Sequence, residues 1–303
     1  FLPASLTLPQ DVTGNISFKS PAIILNGQKY QNVDVALTTK DKQYDITAGV
    51  GAAGNTQVNF TGAMAFGAKS KSASGKSVTM TEPSVAGTVK VTSQEPDKLA
   101  EALAAGKLSD DMKRALAYNL ASEVQLKVTP RLLDATAGYV KLDDTRVNFS
   151  GSYAKGAERD KATIAASAVT VDADKWLGRV AKKSAAIPTT PASTDVKGIA
   201  AGIKVPFDLV YSLDVQGLRL KGRDYLSMKA NGSLVGDDLR IDTASLTSNS
   251  SDNFALKGYI KDLSKLGGLD VTLQANINDL EQTLASFNLQ NISLPARVGK
   301  ADI

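Results

Sequence analysis

The pentapeptide Val58-Asn59-Phe60-Thr61-Gly62 returns as Val147-Asn148-Phe149-Ser150-Gly151, and no other feature of the 303-residue chain constrains its fold as tightly. Upstream residues recur in step. Asp45, Thr47, Ala48 and Gly49 match Asp134, Thr136, Ala137 and Gly138 at the 89-residue offset that separates Phe60 from Phe149. A looser third copy, NFALKG, runs over 253–258 and follows Thr243-Ala244. Each copy leads into an alternating segment and then an Asp-led helical stretch, from Asp97, Asp172 and Asp279. The first interval is longer than the other two because it carries a polar insertion, GAKSKSASGKS at 67–77, which reads as a loop.

A second alignment joins 8–30 to 205–225. It pairs Pro9 with Pro206, Asp11 with Asp208, Gly27 with Gly222 and Tyr30 with Tyr225, given a two-residue gap. Another such opener, LPARV, begins at Leu294 shortly before Ile303, so the expectation is an excerpt of a longer protein with its last unit cut short. The units drawn from this are 1–108, a β repeat holding the insertion; 109–183, a second repeat opening with a short helix; 184–204, a Pro/Ala/Ser-rich linker or loop; 205–290, a third repeat; and 291–303, the start of another.

Within these units apolar and polar residues alternate with the period of a strand. The aliphatic positions include Ile16, Phe18, Ile23, Leu25, Val33, Val35 and Leu37 in the first unit. Val124, Leu126 and Val128 follow in the second; Leu213, Val215, Leu218, Leu220, Leu269, Val271 and Leu273 belong to the third. Turn chemistry interrupts them at LNGQ, KDKQ, GAAGN, KLDDT, VGDD and LGGL. Helices are few and short, with caps at Ser109 and at Asn278 with Glu281, and with Gly106 stopping the one that starts near Pro96 and Asp97. The expected fold is mainly β: an antiparallel meander with one aliphatic and one polar face. A dozen or more strands exceed what four short helices can cover, which leaves two solutions. One is an elongated, curled sheet with an open apolar side; the other is an array of closed β-sandwiches.

Composition narrows the chemistry. The chain has no cysteine and no histidine, which excludes a thiol nucleophile, a Cys/His zinc site and an imidazole base, and suits an oxidising envelope. Its 35 basic and 31 acidic residues are dispersed, without the gathered basic face a nucleic-acid partner requires. No apolar run reaches membrane-spanning length, and Phe1 does not open a signal peptide. Asp143-Asp144 and Asp237-Asp238 are the carboxylate pairs that invite a catalytic reading, yet both fall in expected hairpin turns, so no catalytic residue is assigned. No metal site or cofactor is expected either. Phe60, Phe149, Phe254 and the single tryptophan, Trp176, are read as packing each repeat against its helix, and Gly62, Gly151 and Gly258 as serving turns or bulges.

The order of these elements, with F-x-G closing a strand, another alternating strand and then DADKWL or NDLEQTL, resembles the AsmA family of bacterial envelope proteins. So do 215–246, VQGLRLKGRDYLSMKANGSLVGDDLRIDTASL, and 253–263, NFALKGYIKDL. The likeness runs from Leu6 to Phe287, interrupted by the insertion and the linker. It implies a periplasmic region anchored to the inner membrane through a segment not among these residues. It further implies a non-enzymatic role in outer-membrane biogenesis: phospholipid or another acyl lipid shielded in an apolar trough on its way between the two membranes. The aliphatic residues named above are then the lipid-groove candidates, and other envelope proteins are possible partners. The rival reading is a structural or outer-membrane-protein assembly module of closed sandwiches that carries no lipid.

Overall fold

The alternating segments become strands, and the turn signals fall at their ends. The structure, a computed structural model, describes residues 13–25, 28–40, 43–65, 69–71, 78–80, 82–104, 113, 116, 118–175, 207–220, 222–248, 252–262, 267–278 and 301–302. It divides into two compact units, Phe1–Gly156 and Ala157–Ile303, a division that falls inside the second repeat drawn from the sequence. The protein is mainly β, and within each unit the sheet is an open, curled meander.

In the first unit β1 (Gly14–Leu25), β2 (Gln28–Lys40), β3 (Gln43–Ala52), β4 (Thr56–Ala65), β7 (Ser84–Ser93), β8 (Leu120–Val128), β9 (Leu132–Leu142) and β10 (Thr145–Ala154) pair in that order, each antiparallel to the next. Asn55 (φ 49°) and Gly54 (φ 71°) turn β3 into β4, and Asp143 (φ 51°) turns β9 into β10. These left-handed positions fall where Gly, Asn and Asp were read as turn residues. The insertion is not merely a loop. Its flanks form a small antiparallel hairpin, β5 (Lys69–Lys71) with β6 (Val78–Met80).

The second unit holds β11 (Asp160–Ala168), β12 (Val171–Asp172), β13 (Phe207–Val215), β14 (Leu218–Leu220), β15 (Arg223–Val235), β16 (Asp238–Ser248), β17 (Asn253–Lys261), β18 (Gly267–Ile277) and a short β19 (Ala301–Asp302). From β13 through β18 the order is again an antiparallel meander. One departure from the all-antiparallel expectation stands at its start: β11 pairs with β13, and β12 with β14, in parallel. Parallel pairing requires a crossover of a dozen or more residues. The connection between Asp172 and Phe207, which includes the stretch read as a linker, is long enough to supply it.

Of the expected helices, α1 (Pro96–Ala104) forms with Asp97 in its first turn, where a carboxylate favours the positive end. Asp172 caps the next, its Oδ1 accepting the Lys175 N–H at 3.0 Å, and residues 173–175 are helical. Trp176, the 184–204 stretch, most of the helix from Ser109 and the helix from Asp279 lie outside the described residues.

The second alignment proves tighter in structure than in sequence. The ladder Val215↔Met228 and Leu218↔Tyr225 of the second unit matches Ser20↔Val33 and Ile23↔Tyr30 of the first. A constant offset of 195 residues (Tyr30 to Tyr225) therefore superposes β1 on β13 and β14, and β2 on β15, with no gap. The two-residue gap suggested by Pro9 and Asp11 is not needed for the residues that pair.

The carboxylate pairs serve the hairpins. Asp143 Oδ1 accepts the Asn119 N–H at 2.9 Å. Gly236 (φ 64°) and Asp237 make the turn before β16, and Asp238 opens that strand. The Asp238 carboxylate accepts the Tyr259 hydroxyl at 2.7 Å and the Asp262 N–H at 3.0 Å, which ties the end of β17 to the start of β16. The tyrosine hydrogen bond, followed by the backbone one, holds the Asp238 carboxyl below its ordinary value, and the same bond raises the Tyr259 phenol. A depressed carboxyl contributes stability above its unfolded value and loses it as pH falls through its own lowered value. The raised phenol contributes below the ordinary tyrosine value and loses its share as pH rises through the raised one. In Tyr259→Phe the Asp238 titration midpoint, followed by carboxyl-carbon NMR, is expected to move up; an unmoved midpoint would show that the hydroxyl is not the cause.

Candidate functional site

In a ladder, directly opposed residues point to the same side of the sheet, so the pairing register sorts every side chain of each unit onto one of two faces. Starting from Phe18 in the first unit, the register passes through Val35 and Ala48 to Phe60. From Phe60 it passes through Val89, Val124 and Gly138 to Phe149. Ile16, Leu37 and Ile46 form a parallel row beside it. The opposite face carries Lys19 with Asp34 at 2.9 Å, Lys90 with Glu123 at 3.3 Å, and Arg146 stacked 4.0 Å from the Tyr139 ring centre. Those pairs are solvent-exposed and add little stability; their importance is to mark the wet side.

The second unit repeats the partition. Leu213, Ala230, Ala244, Leu256 and Leu273 are successive partners on one face, with Ile164 beside Tyr211 at its start. Lys229, Ser245, Ala255 and Gln274 follow one another on the other face. On the aliphatic side Met228, Ala230, Leu246, Phe254, Leu256 and Leu273 border a shallow hollow of ≈ 210 Å³.

The residues read from the sequence as groove candidates divide by exposure. Ile16 (66%), Phe18 (52%), Leu25, Leu269 (65%), Val271 and Leu273 (59%) are exposed; Val33, Val215 and Leu218 are buried; Ile23, Val35, Leu37, Val124, Leu126, Val128, Leu213 and Leu220 are half-buried. Ile23 and Leu25 lie beyond an irregularity at Pro21 and Asn32 (φ 50°), so the alternation that unites Ile16, Phe18, Val33, Val35 and Leu37 does not extend to them directly. Among the described residues no side chain falls below 2% exposure, and the strands outside the 17-stranded sheet are only the three-residue pair β5 and β6. A closed sandwich would seal its inner side chains, because two sheets pack about 10 Å apart with side chains interdigitated. Half-exposed Phe60, Phe149 and Phe254 on the aliphatic side are the opposite outcome.

The recurring F-x-G word has a geometric reason that sequence reading missed. The Phe60 ring lies over its own sheet: a Cβ added at Gly62 would stand 2.7 Å from the ring and 2.7 Å from Gly87 Cα. Gly62 and Gly87 are cross-strand partners, so two strands leave a bare patch that the ring fills. Phe149 lies likewise on Gly138, its ladder partner, where an added Cβ would meet the ring at 2.8 Å, and Tyr211 lies on its partner Gly232. The contacts described for Phe60 and Phe149 are thus to glycines of their own sheet, not to a helix. Gly62 occupies neither a turn nor a bulge; close approach of ring and backbone requires it. Gly151 and Gly258 do sit at register shifts, as read from the sequence. The third copy departs from the pattern: Phe254 opposes Leu246 and Ala275, with no glycine beneath it in the ladder.

No metal-binding group of acidic residues occurs among the described residues, and no described helix is long and apolar enough to cross a membrane. Comparison of the chain with protein-family models, curated proteins and solved structures returns no match.

Gly62→Val is expected to destabilise the fold by about 1–3 kcal/mol, as overpacking does, seen as a lower urea midpoint, whereas Thr61→Val on the polar face should leave it nearly unchanged. An unaltered midpoint in Gly62→Val would refute the ring-on-glycine account.

Proposed function

We propose that this chain is the periplasmic repeat region of an AsmA-like protein and that it shields acyl chains of phospholipid in transit between the inner and outer membranes. The observation that carries the reading is the sorted sheet face: in each unit one side is aliphatic from strand to strand, and apart from a few buried positions such as Val33 and Val215 its side chains are half-buried or exposed. An aliphatic surface of that extent in a water-soluble fold needs a partner, and acyl chains are a partner of matching chemistry.

Energetics favour a path over a pocket. Each methylene exposed to water costs about 0.8 kcal/mol, so a two-chain lipid crossing unshielded faces a barrier on the order of 20 kcal/mol. A row of branched and small side chains without fixed charges lowers that barrier evenly along its length. A tightly shaped pocket would instead hold one lipid. At Phe60, Phe149 and Tyr211 the ring lies against glycine of its own sheet, which leaves these three aromatics close to the floor. In this reading the chain performs no chemistry, and Asp143, Asp144, Asp237 and Asp238 are turn and hairpin residues.

The test is lipid capture. Val271→Asp, on the aliphatic face, should reduce phospholipid co-purification or photo-crosslinking roughly tenfold or more, since a carboxylate set against acyl chain is costly. Thr272→Asp, one residue along and facing the polar side, should leave capture intact. Equal capture by both variants, with circular dichroism showing both folded, would reject the role.

A further inference from the structure

The polar face of the second unit has a shape of its own. Two adjoining hollows open on it where β15, β16, β17 and β18 lie side by side, one of ≈ 430 Å³ and one of ≈ 440 Å³. They share Asp242, Lys257 and Thr272, so they form one trough. Along β17 and β18 it runs from the pair Tyr259↔Asp270 to the pair Ala255↔Gln274, about 13 Å at the rise of a strand.

A β-bulge shapes this trough. Strand β16 carries an extra residue between Ile241 and Ala244, and as a result Asp242 and its sequence neighbour Thr243 both border the trough instead of falling on opposite faces. Beyond the bulge the floor is made of small side chains, Ser245 and Ala255, with Lys229 and Gln274 at the two ends of their row.

The lining is neither oily nor strongly charged. Arg240 Nε donates to Asp242 at 2.6 Å, which sets one charge against another, and Lys229 stands 3.7 Å from Asp214. Lys257 and Asp270 then leave the charges close to balance, which does not suit a polyanion. An acyl chain would leave these polar groups without hydrogen bonds. Asn231 donates to Thr243 Oγ1 at 3.1 Å and keeps its side-chain carbonyl oxygen for a further bond. The side chains of Lys257, Asp270, Thr272 and Gln274 make no hydrogen bond or ion pair among the described residues. At one end the Tyr259 ring is 37% exposed while its hydroxyl is held on Asp238 at 2.7 Å, so the ring is a fixed apolar plate in polar surroundings.

We propose that this trough binds a short oligosaccharide. Donors and acceptors of both kinds, spaced along an extended hollow beside one aromatic plate, match a chain of sugar rings, each with hydroxyls at its edge and a C–H face. Tyr259 takes a ring face at one end. Lys257 and Thr272 take hydroxyls where the two hollows meet, and Asn231 and Gln274 take those beyond. The groups bind but do not cleave: glycoside hydrolysis uses two carboxylates flanking one bond, and here Asp270 stands with an Asp242 already bonded to Arg240. The site lies on the face opposite the aliphatic one, so the inference is independent of the lipid role.

Titration calorimetry of the full chain with cellotetraose, chitotetraose and tetragalacturonate tests it, with inorganic phosphate as the anion control and no lipid present. At least one tetrasaccharide is expected to bind, and phosphate at equal concentration should not displace it. Ala255→Trp, which fills the floor, should weaken that binding roughly tenfold or more. Gln274→Ala should weaken it about threefold to tenfold, the loss of one hydrogen bond. Gln274 is exposed, so this variant keeps the test decisive even where Ala255→Trp does not fold. Lys90→Ala, on the polar face of the first unit, should leave binding unchanged. Failure of all three saccharides to bind, or equal affinity in Gln274→Ala and Lys90→Ala, would overturn the inference. So would displacement by phosphate, which would make the trough an anion site only.

Discussion

The ladder register is the constraint on which this protein depends. Side chains on a strand alternate between faces, so sliding one strand by a single residue would turn its whole aliphatic set to water. Across β1 to β10 and again across β11 to β18 most ladder partners match aliphatic to aliphatic and polar to polar, from Phe18 and Val35 through to Leu256 and Leu273, with exceptions such as Val91↔Ser122 and Val210↔Ser233. Where a strand carries an extra residue, as at Thr136 opposite Gln125 and Leu126 or between Ile241 and Ala244, the register shift restores the match instead of breaking it. The bulges are therefore corrections that keep the aliphatic rows on one face.

A second device works on the aliphatic face itself. Aromatic rings are wide, and standing upright they would divide the surface into compartments. At Phe60, Phe149 and Tyr211 the ring lies down because the position opposite or beside it is glycine. That arrangement recovers contact area that glycine loses, which offsets the backbone entropy glycine brings to a strand. It accounts for Gly62 beside Phe60, whereas Gly151 in the second copy sits at a register shift and the ring of Phe149 lies on Gly138 instead.

Much of this architecture was legible in the sequence, for a physical reason: strand period, turn chemistry and N-caps are local. GAAGN, KLDDT and VGDD turn the chain where Gly, Asn and Asp allow left-handed backbone, and Asp172 heads a helical turn as read, its cap bond to Lys175 being added by the structure. Non-local facts were hidden. Parallel pairing of β11 with β13 joins residues 47 positions apart (Asp160 to Phe207), and alternation reads the same whichever way the neighbour runs. The role of Gly62 was hidden too, because its reason lies in Gly87 on another strand. Among the groove candidates, the alternating words placed Val124, Leu126 and Val128 on one face correctly but could not foresee that Pro21 and Asn32 interrupt the run before Ile23 and Leu25.

An aliphatic sheet face open to solvent is the claim from which the rest follows, and the absence of native cysteine makes it directly measurable. Single cysteines at Val124 and Leu256 on that face, and at Gln125 and Lys257 on the polar one, can each be challenged with a small maleimide in the native state. Openness predicts that all four react natively, and that added phospholipid protects Val124→Cys and Leu256→Cys while sparing the other two. Reaction of the Val124 and Leu256 cysteines only after denaturant is added would mean that the face is sealed, and would contradict the account.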